Sequence, residues 1–396
     1  MDIGMTMRSS RLASACVLLA ALGGACVPAS DAVAQRRAPG GIPEEILNAS
    51  SSLSAQQVEA VESFASRRIE DLTSGSPEEV VEARDALIDP IKARPTPVFL
   101  RAYAEVLLPS ISPLVSGDDS MRAENALRVA AFLKTPESAE LLISASDPKS
   151  VDDAGVRLVA AGLLSVACRA DAQSAIPATT LVSMARSIAA NVARESDWFV
   201  VLEELRAMQG IVRHPDMSDQ SQKAAREILF DAFSELGSRI ESSKTPSPLI
   251  NAVYRAISDL RVQVAQGGNR NDFDASRVTA ALREMLLHVA RAAVTHWDAL
   301  TEDLPTFRAY AITLTAGSQV YDVFDSSSQG SQLSRLDDPM NAYLEAVESL
   351  PGLQQRLDDM AAGDRDRRRV EKDIADAEST IKQGVTPLKN ILDSIK

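Results

Sequence analysis

Apolar residues recur along this chain at intervals of three and four positions, a spacing that places them on one face of an α-helix. The clearest run is Arg122–Leu133, where Ala and Leu side chains form one broad apolar stripe. Thr135 and Pro136 predict the start of a second helix, Pro136–Ser146, because Thr accepts a free first-turn N–H and Pro suits the first helical position. A third helix, predicted over Asp153–Ala170, is apolar on most sides, so neighbouring helices must cover it.

The same start signal, a hydroxyl or acidic residue followed by Pro, recurs along the chain. It occurs at Ser76-Pro77, Thr96-Pro97, Ser247-Pro248, Asp338-Pro339 and Thr386-Pro387, and Ser54–Gln57 forms a capping box. Further helices are predicted over Thr179–Val192, Asp197–Val212, Asp219–Leu236, Pro248–Gln266, Ala275–Leu300 and Pro305–Val323. No stretch shows the sustained alternation of apolar and polar residues that predicts a strand. The sequence therefore predicts an all-α fold.

Short pieces of sequence recur within this helical region. Glu82–Leu87 resembles Arg122–Leu127, and Arg128–Phe132 resembles Arg157–Ala161. The intervals, about 40 and about 30 residues, are close to the length of a two-helix repeat unit. Residues 76–237 thus resemble the helical repeats of HEAT and armadillo proteins. The resemblance implies an irregular, α-solenoid-like body; a compact helical bundle without repeats is the alternative.

Polar breaks divide the chain into segments. Gly267–Asp272 and Ser326–Ser331 are rich in Gly, Ser and Asn, which predicts loops. The predicted segments are an export signal over 1–34, a flexible tether over 35–53, a helical-repeat domain over 54–266, a long helix pair packing on that domain over 273–325, a linker over 326–337 and a C-terminal helical hairpin or short coiled coil over 338–396.

The first 34 residues have the pattern of an export signal. Arg8 and Arg11 precede the apolar run Leu12–Ala25, and small residues then predict cleavage after Ala34. This address places the mature chain in the periplasm or outside the cell. A lipoprotein signal with a lipid anchor at Cys26 is the alternative. No other apolar run is expected to span a membrane.

Composition narrows the classes of partner. The formal net charge is -14, and the signal contains two charges of each sign, so the mature chain keeps this value. An acidic surface repels nucleic acid. Aromatic residues make up only 4% of the chain, which disfavours large ligand pockets. The one basic cluster, Arg365–Arg369, is expected to pair with Glu371 and Asp373 on its own helix.

Three histidines and one cysteine of the mature chain are candidates for chemistry. His288 and His296 share a predicted helix with Glu284, but eight residues separate the two rings by about 12 Å along the axis, too far for one metal ion. His214 precedes a Pro in a turn and is expected to be solvated. Cys168 lies in an apolar helix, which predicts a buried, inert thiol. Asp272–Ser276 imitates the start of a calcium loop but lacks the required later Gly and Glu.

The last segment contains a possible helix-partner seam. Val370, Ile374, Ala377 and Ile381 alternate at spacings of four and three, as in a coiled coil. These residues either pack on the protein's own body or join a second copy into a homo-oligomer.

The sequence contains no known catalytic motif and predicts no metal or cofactor site, which favours a non-enzymatic protein. The leading hypothesis is an exported helical scaffold that presents a binding surface to a protein partner. One alternative is a cell-envelope enzyme of the helical-bundle or toroid type, with carboxylate and histidine chemistry around His288, His296 and Trp198. Another is a self-associating structural protein.

Overall fold

The computed structural model describes residues 41–169, 174–265, 275–325, 330–360 and 366–395. Within these ranges every regular element is a helix, which confirms the all-α prediction. The helices are α1 Glu44–Leu47, α2 Ala55–Ser74, α3 Pro77–Lys92, α4 Pro97–Val115, α5 Ser120–Leu133, α6 Pro136–Ser146, α7 Ala154–Ala167, α8 Ala178–Val192, α9 Trp198–Val212, α10 Asp219–Glu241, α11 Ile250–Ala265, α12 Ala275–Thr295, α13 Trp297–Glu302, α14 Leu304–Phe324, a 3-10 helix Gly330–Arg335, α15 Asp338–Asp359, α16 Arg367–Gln383 and α17 Thr386–Ser394. The predicted export signal with Cys26, the polar loop Gly267–Asp272 and Asp272–Asp274 of the calcium-loop-like stretch lie outside the described residues.

Capping residues explain where many of these helices begin. The Ser76 hydroxyl accepts a hydrogen bond from the Glu79 N–H, and the Glu79 carboxylate accepts one from the Ser76 N–H at 2.8 Å. Ser54 forms the same reciprocal pair with Gln57, and Thr135 with Ser138. Each pair satisfies first-turn N–H groups that have no partner inside the helix.

Two predicted caps are wrong by one residue. Asp338 and Thr386 are the first residues of α15 and α17, and the preceding Asp337 and Val385 make no side-chain capping bond. α11 likewise begins at Ile250, two residues after the predicted Pro248. Pro still lies in the first turn of α15 and α17, where its missing N–H costs nothing.

Each helix from α2 to α10 packs on the helix two places further along the chain, and α11 packs on α14. One series is α3, α5, α7, α9, α11 and α14, and the other is α2, α4, α6, α8, α10 and α12. Consecutive helices also pack across the series, as α2 does on α3, α4 on α5, α6 on α7 and α8 on α9. The buried faces share one core cluster, with Phe99, Tyr103, Phe230, Phe233, Phe307 and Tyr310 among its largest side chains. We call these the α3–α14 series and the α2–α12 series.

The predicted long helix 275–300 is interrupted. α12 ends at Thr295, and α13 begins at Trp297 after His296. The Trp297 ring packs edge-on against Phe307 at 5.1 Å and Tyr343 at 5.3 Å, centroid to centroid. These partners belong to α14 and α15, so a tertiary aromatic contact accompanies a break that no Gly or Pro marks in the sequence.

Parts of the predicted tether and linker pack on the body. Ile46 of α1 is buried, and the Leu47 carbonyl accepts a hydrogen bond from the Thr96 N–H at 3.0 Å. In the predicted linker, Leu333 and Leu336 are buried, and the Leu333 carbonyl accepts a hydrogen bond from the Ser318 hydroxyl at 3.1 Å. The described ends of both segments therefore belong to the folded unit that starts at Gly41.

The C-terminal segment forms a helical hairpin, because α15 and α16 pack on each other. α17 returns to α12 and α15, and it buries Leu388 completely. The hairpin is thus joined to the series of helices through its last helix.

One helix in the described part of the chain, α4, is long and apolar enough to cross a membrane by those two criteria. This differs from the expectation that no run after the signal has this property. A core helix meets the same criteria, and α4 packs on α2 and α5, burying Phe99, Leu100, Tyr103, Leu107 and Ile111.

Candidate functional site

A cleft of about 760 Å³ opens where the α3–α14 series passes from α7 through α9 to α11. Its walls come from the C-terminal ends of α7 and α9, from the turn after α9 and from α11. Three arginines line it: Arg169, Arg206 and Arg213. In a chain with a net charge of -14, this is a local concentration of positive charge.

Arg206 and Gln209 connect α9 to α11 across the cleft. The Arg206 guanidinium lies 2.7 Å from a Glu203 oxygen and 3.5 Å from an Asp259 oxygen. The buried Gln209 amide donates a hydrogen bond to the Ala256 carbonyl at 3.0 Å. These contacts fix the relative position of the two helices that form most of the cleft.

His214 is buried in the cleft, with 4% of its surface exposed, so the prediction of a solvated ring is wrong. Its Nδ1 accepts a hydrogen bond from the Asp216 N–H at 3.3 Å. Because Nδ1 acts as the acceptor, the neutral imidazole has its proton on Nε2. The turn that contains Pro215 folds the ring inward, whereas the sequence around it suggested a surface turn.

Cys168 confirms the prediction of a buried thiol. It is 3% exposed, and burial raises the pKa of its thiol to about 12. At neutral pH the sulfur therefore stays protonated, and the thiol form is a weak nucleophile.

A buried ion pair fixes the turn that precedes α9. The Arg157 guanidinium donates two hydrogen bonds to the Glu195 carboxylate, at 2.6 and 3.2 Å. The same carboxylate accepts hydrogen bonds from the N–H groups of Ser196 and Asp197, at 2.7 and 2.8 Å. Arg239 of α10 donates to the Glu195 carbonyl at 2.6 Å. Helices α7 and α10 thereby hold the residues from which α9 starts.

α9 begins with an aromatic pair. Trp198 and Phe199 stack with centroids 3.7 Å apart, and the Arg255 guanidinium of α11 lies 5.1 Å from the centroid of the Trp198 ring. Phe199 is 48% exposed, and Val262 of α11, in the cleft, is 47% exposed. In the described part of the chain, Val81 on α3 is the other large hydrophobic residue with such exposure, at 39%.

The exposed aromatic ring and the cleft lie on one face of α9. Phe199, Glu203, Arg206, Gly210 and Arg213 follow each other at spacings of four, three, four and three, which aligns them along a helix. The stripe is about 21 Å long at the rise of an α-helix. We call this stripe, together with Arg255 and Val262 of α11, the α9 face.

Glu204, next to Glu203, points away from this face and is fully buried. Neither of its carboxylate oxygens has a hydrogen-bond partner among the described residues. Burial raises its pKa well above the usual 4.5, and the charges of Glu195 and Asp147 raise it further, while the nearby Ser146 hydroxyl lowers it. Burial thus favours the neutral form of this carboxyl, a feature that the sequence did not indicate.

His288 and His296, whose spacing is too long for one metal ion, contact different residues. His288 Nδ1 bonds to Glu241 of α10 rather than to Glu284, which instead accepts a hydrogen bond from Ser234 at 2.8 Å. His296 is half-buried, and its Nε2 lies 3.0 Å from the Ser243 carbonyl.

Neither ring lines the main cleft or the two smaller clefts on α4, of about 460 and 510 Å³. Among the described residues, no group of three or more His, Cys, Asp and Glu side chains has a geometry that could hold a metal ion.

The seam residues of the C-terminal segment lie on α16, which packs on α15 of the same chain. Val370 and Ala377 are buried, and Ile374 and Ile381 are half-buried. Arg367 pairs with Glu371 at 3.1 Å, as expected for this helix face. Pairing of the seam with a second copy stays a prediction.

Comparison with protein-family models found no matching family, and no curated protein matches this sequence.

Proposed function

We propose that this chain is an exported, non-enzymatic helical-repeat scaffold that presents the α9 face to a protein partner. The signal-like first 34 residues support export. The packing of every second helix into two series supports a repeat architecture, because stacked helix pairs produce the same pattern of neighbours.

The exposed Phe199 ring on the α9 face carries this proposal. Aromatic side chains that stand on a rigid element contribute most to protein interfaces, because little conformational entropy is lost when a partner covers them. The buried Arg157–Glu195 pair and the Asp197 cap hold the start of α9, so the ring has a fixed base. Val262 extends the apolar surface onto α11.

The groups in the cleft favour binding over covalent chemistry. The Cys168 thiol stays protonated at neutral pH. Arg206 engages both Glu203 and Asp259, the two carboxylates in the cleft lining. What the cleft offers a partner is a set of hydrogen-bond donors beside an apolar anchor.

A substitution experiment tests the proposal. Phe199→Asp places a charge where an interface would be dry, so recovery of the partner from native envelopes is expected to fall about tenfold or more. Val81→Asp is the matched control, because Val81 is also exposed but lies on α3, away from the α9 face. Equal recovery by both variants and the unsubstituted chain would contradict the proposal.

A further inference from the structure

Two arginines in the cleft have no acidic partner among the described residues, and His214 has Asp216 only on its Nδ1 side, where the Asp216 carboxylate lies 4.0 Å away. Arg169 makes no ion pair or side-chain hydrogen bond there. Arg213 uses only its Nε, which donates to the Gln209 carbonyl at 3.1 Å and leaves its two terminal amino groups available. His214 has its proton on Nε2, and no described residue accepts that proton.

The lining of the cleft is positively charged, as are Arg169 and Arg213. Three arginines and two carboxylates give the lining a net charge of +1, and both carboxylates lie at Arg206, so neither pairs with Arg169 or Arg213. The chain as a whole is strongly acidic, so this cleft departs locally from the overall charge. The Nε–H of Arg213 caps the C-terminal end of α9, and the other N–H groups of the exposed Arg169 and Arg213 face solvent, where a ligand can reach them.

His214 adds a second, independent observation. Its side chain is 5% exposed, so it is a buried polar group in the cleft lining with one unused donor. Since Nδ1 accepts from the Asp216 N–H, Nε2 is the ring nitrogen that can donate a hydrogen bond to a bound acceptor.

We infer that this cleft binds an oxyanion of the carboxylate or phosphate class, held by Arg169, Arg213 and His214. Guanidinium groups match the planar, two-oxygen geometry of such anions, and charge-assisted hydrogen bonds are the stronger kind. The anion comes either from an acidic protein segment or from a free small anion. Because the inference rests on the cleft alone, it stands independently of whether Phe199 contacts a partner.

Calorimetric titration of the chain from Gln35 onward tests this inference with three probes: hexaglutamate peptide, succinate and inorganic phosphate. Saturable binding of at least one probe is expected, with a dissociation constant of about 1 mM or tighter. Binding of the peptide alone would identify a protein segment as the source, and binding of a small anion would identify a free ligand. Both results support an oxyanion site.

Arg169→Ala and Arg213→Ala are each expected to weaken this binding about tenfold, the loss of one charge-assisted contact. Arg213→Lys keeps the charge but loses the planar guanidinium group. Its affinity for the anion should therefore lie between those of the unsubstituted chain and Arg213→Ala. Arg186→Ala on α8 is the matched control, since Arg186 is an exposed arginine without an ion pair among the described residues and outside the cleft.

Two results would overturn the inference. One is the absence of saturable binding by all three probes. The other is an equal loss in the Arg186→Ala control and the cleft variants, which would indicate a general charge effect. Circular dichroism melting of each variant separates a lost site from a lost fold.

Discussion

Glu195 and Glu204 are both fully buried, but of the two only Glu195 has a cationic partner within the described part of the chain. Arg157 and two backbone N–H groups donate hydrogen bonds to the Glu195 carboxylate. Glu204 has no such contacts, and its pKa is raised by burial. A buried polar group without a partner costs folding free energy, so Glu204 is a destabilising residue in this fold.

Replacing Glu204 by Met is therefore expected to stabilise the protein. Met has a similar length and no polar atoms, so the free energy of unfolding at pH 7 to 8 should rise by about 1–3 kcal/mol. Urea denaturation followed by circular dichroism gives this value. The matched control is Glu203→Met, because Glu203 lies at the cleft surface in an ion pair whose loss costs about 1 kcal/mol or less.

The free energy of unfolding is expected to depend on pH through Glu204. The pKa of the Glu204 carboxyl is higher in the folded state, so the folded protein binds this proton more tightly than the unfolded chain does. The free energy of unfolding therefore falls as the pH rises above the unfolded-state pKa of 4.5. Glu204→Met should remove this fall and flatten the profile above pH 4.5. A variant that is less stable than the parent, with an unchanged pH profile, would contradict the assignment.

The sequence could predict some of these residue environments. Cys168 directly follows the apolar helix α7, and its apolar neighbours predicted its burial. The burial of His214 and Glu204 does not follow from their neighbours, since Glu203 and Glu204 are adjacent and chemically identical. Which of the two faces the core depends on where α9 packs, and that is decided by α7 and α11.

At the scale of elements, α10 and α12 approach each other closely at Gly237. A Cβ at this position would lie 3.0 Å from the Met285 Cα and 3.3 Å from the His288 Cβ. The nearest contact is with backbone, which cannot rotate away as a side chain can. Because Gly237 has no side chain, α10 and α12 of the α2–α12 series can pack closely at this point.

Gly237→Ala is expected to destabilise the protein, while Gly162→Ala on α7 should stabilise it. Both variants gain helix propensity of roughly 1 kcal/mol, but a Cβ at Gly162 has no atom within 4 Å. The free energies of unfolding of the two variants should thus differ by the packing cost, roughly 1–3 kcal/mol. Equal stabilisation by both substitutions would show that the helices are farther apart than described.

Local signals in the sequence predicted several elements well. α6 has its predicted bounds, and the capping boxes at Ser54 and Ser76 form. The break at His296 was missed because the apolar pattern continues through it, with both Trp297 and Leu300 buried. The side chains that hold Trp297 come from α14 and α15, and local periodicity contains no information about them.

At the scale of the whole molecule, the cleft combines residues from α7, α9 and α11, which no sequence motif links. Spacing along α9 alone would have grouped Phe199 with Arg206 and Arg213, but it could not show that this stripe is exposed. The direction of the stripe depends on the packing of every second helix into a common series. We propose that this arrangement exists to present the α9 face to a partner outside the cell or in the periplasm.

Photo-crosslinking in the native envelope tests this account most directly. A benzophenone amino acid is placed at position 199 and, as a control, at position 81, which is exposed on α3. If the α9 face binds a protein partner, position 199 gives one discrete crosslinked protein, in a yield at least about tenfold above that from position 81. Crosslinking only to scattered proteins, or equally from both positions, would contradict the claim that the α9 face is the binding surface.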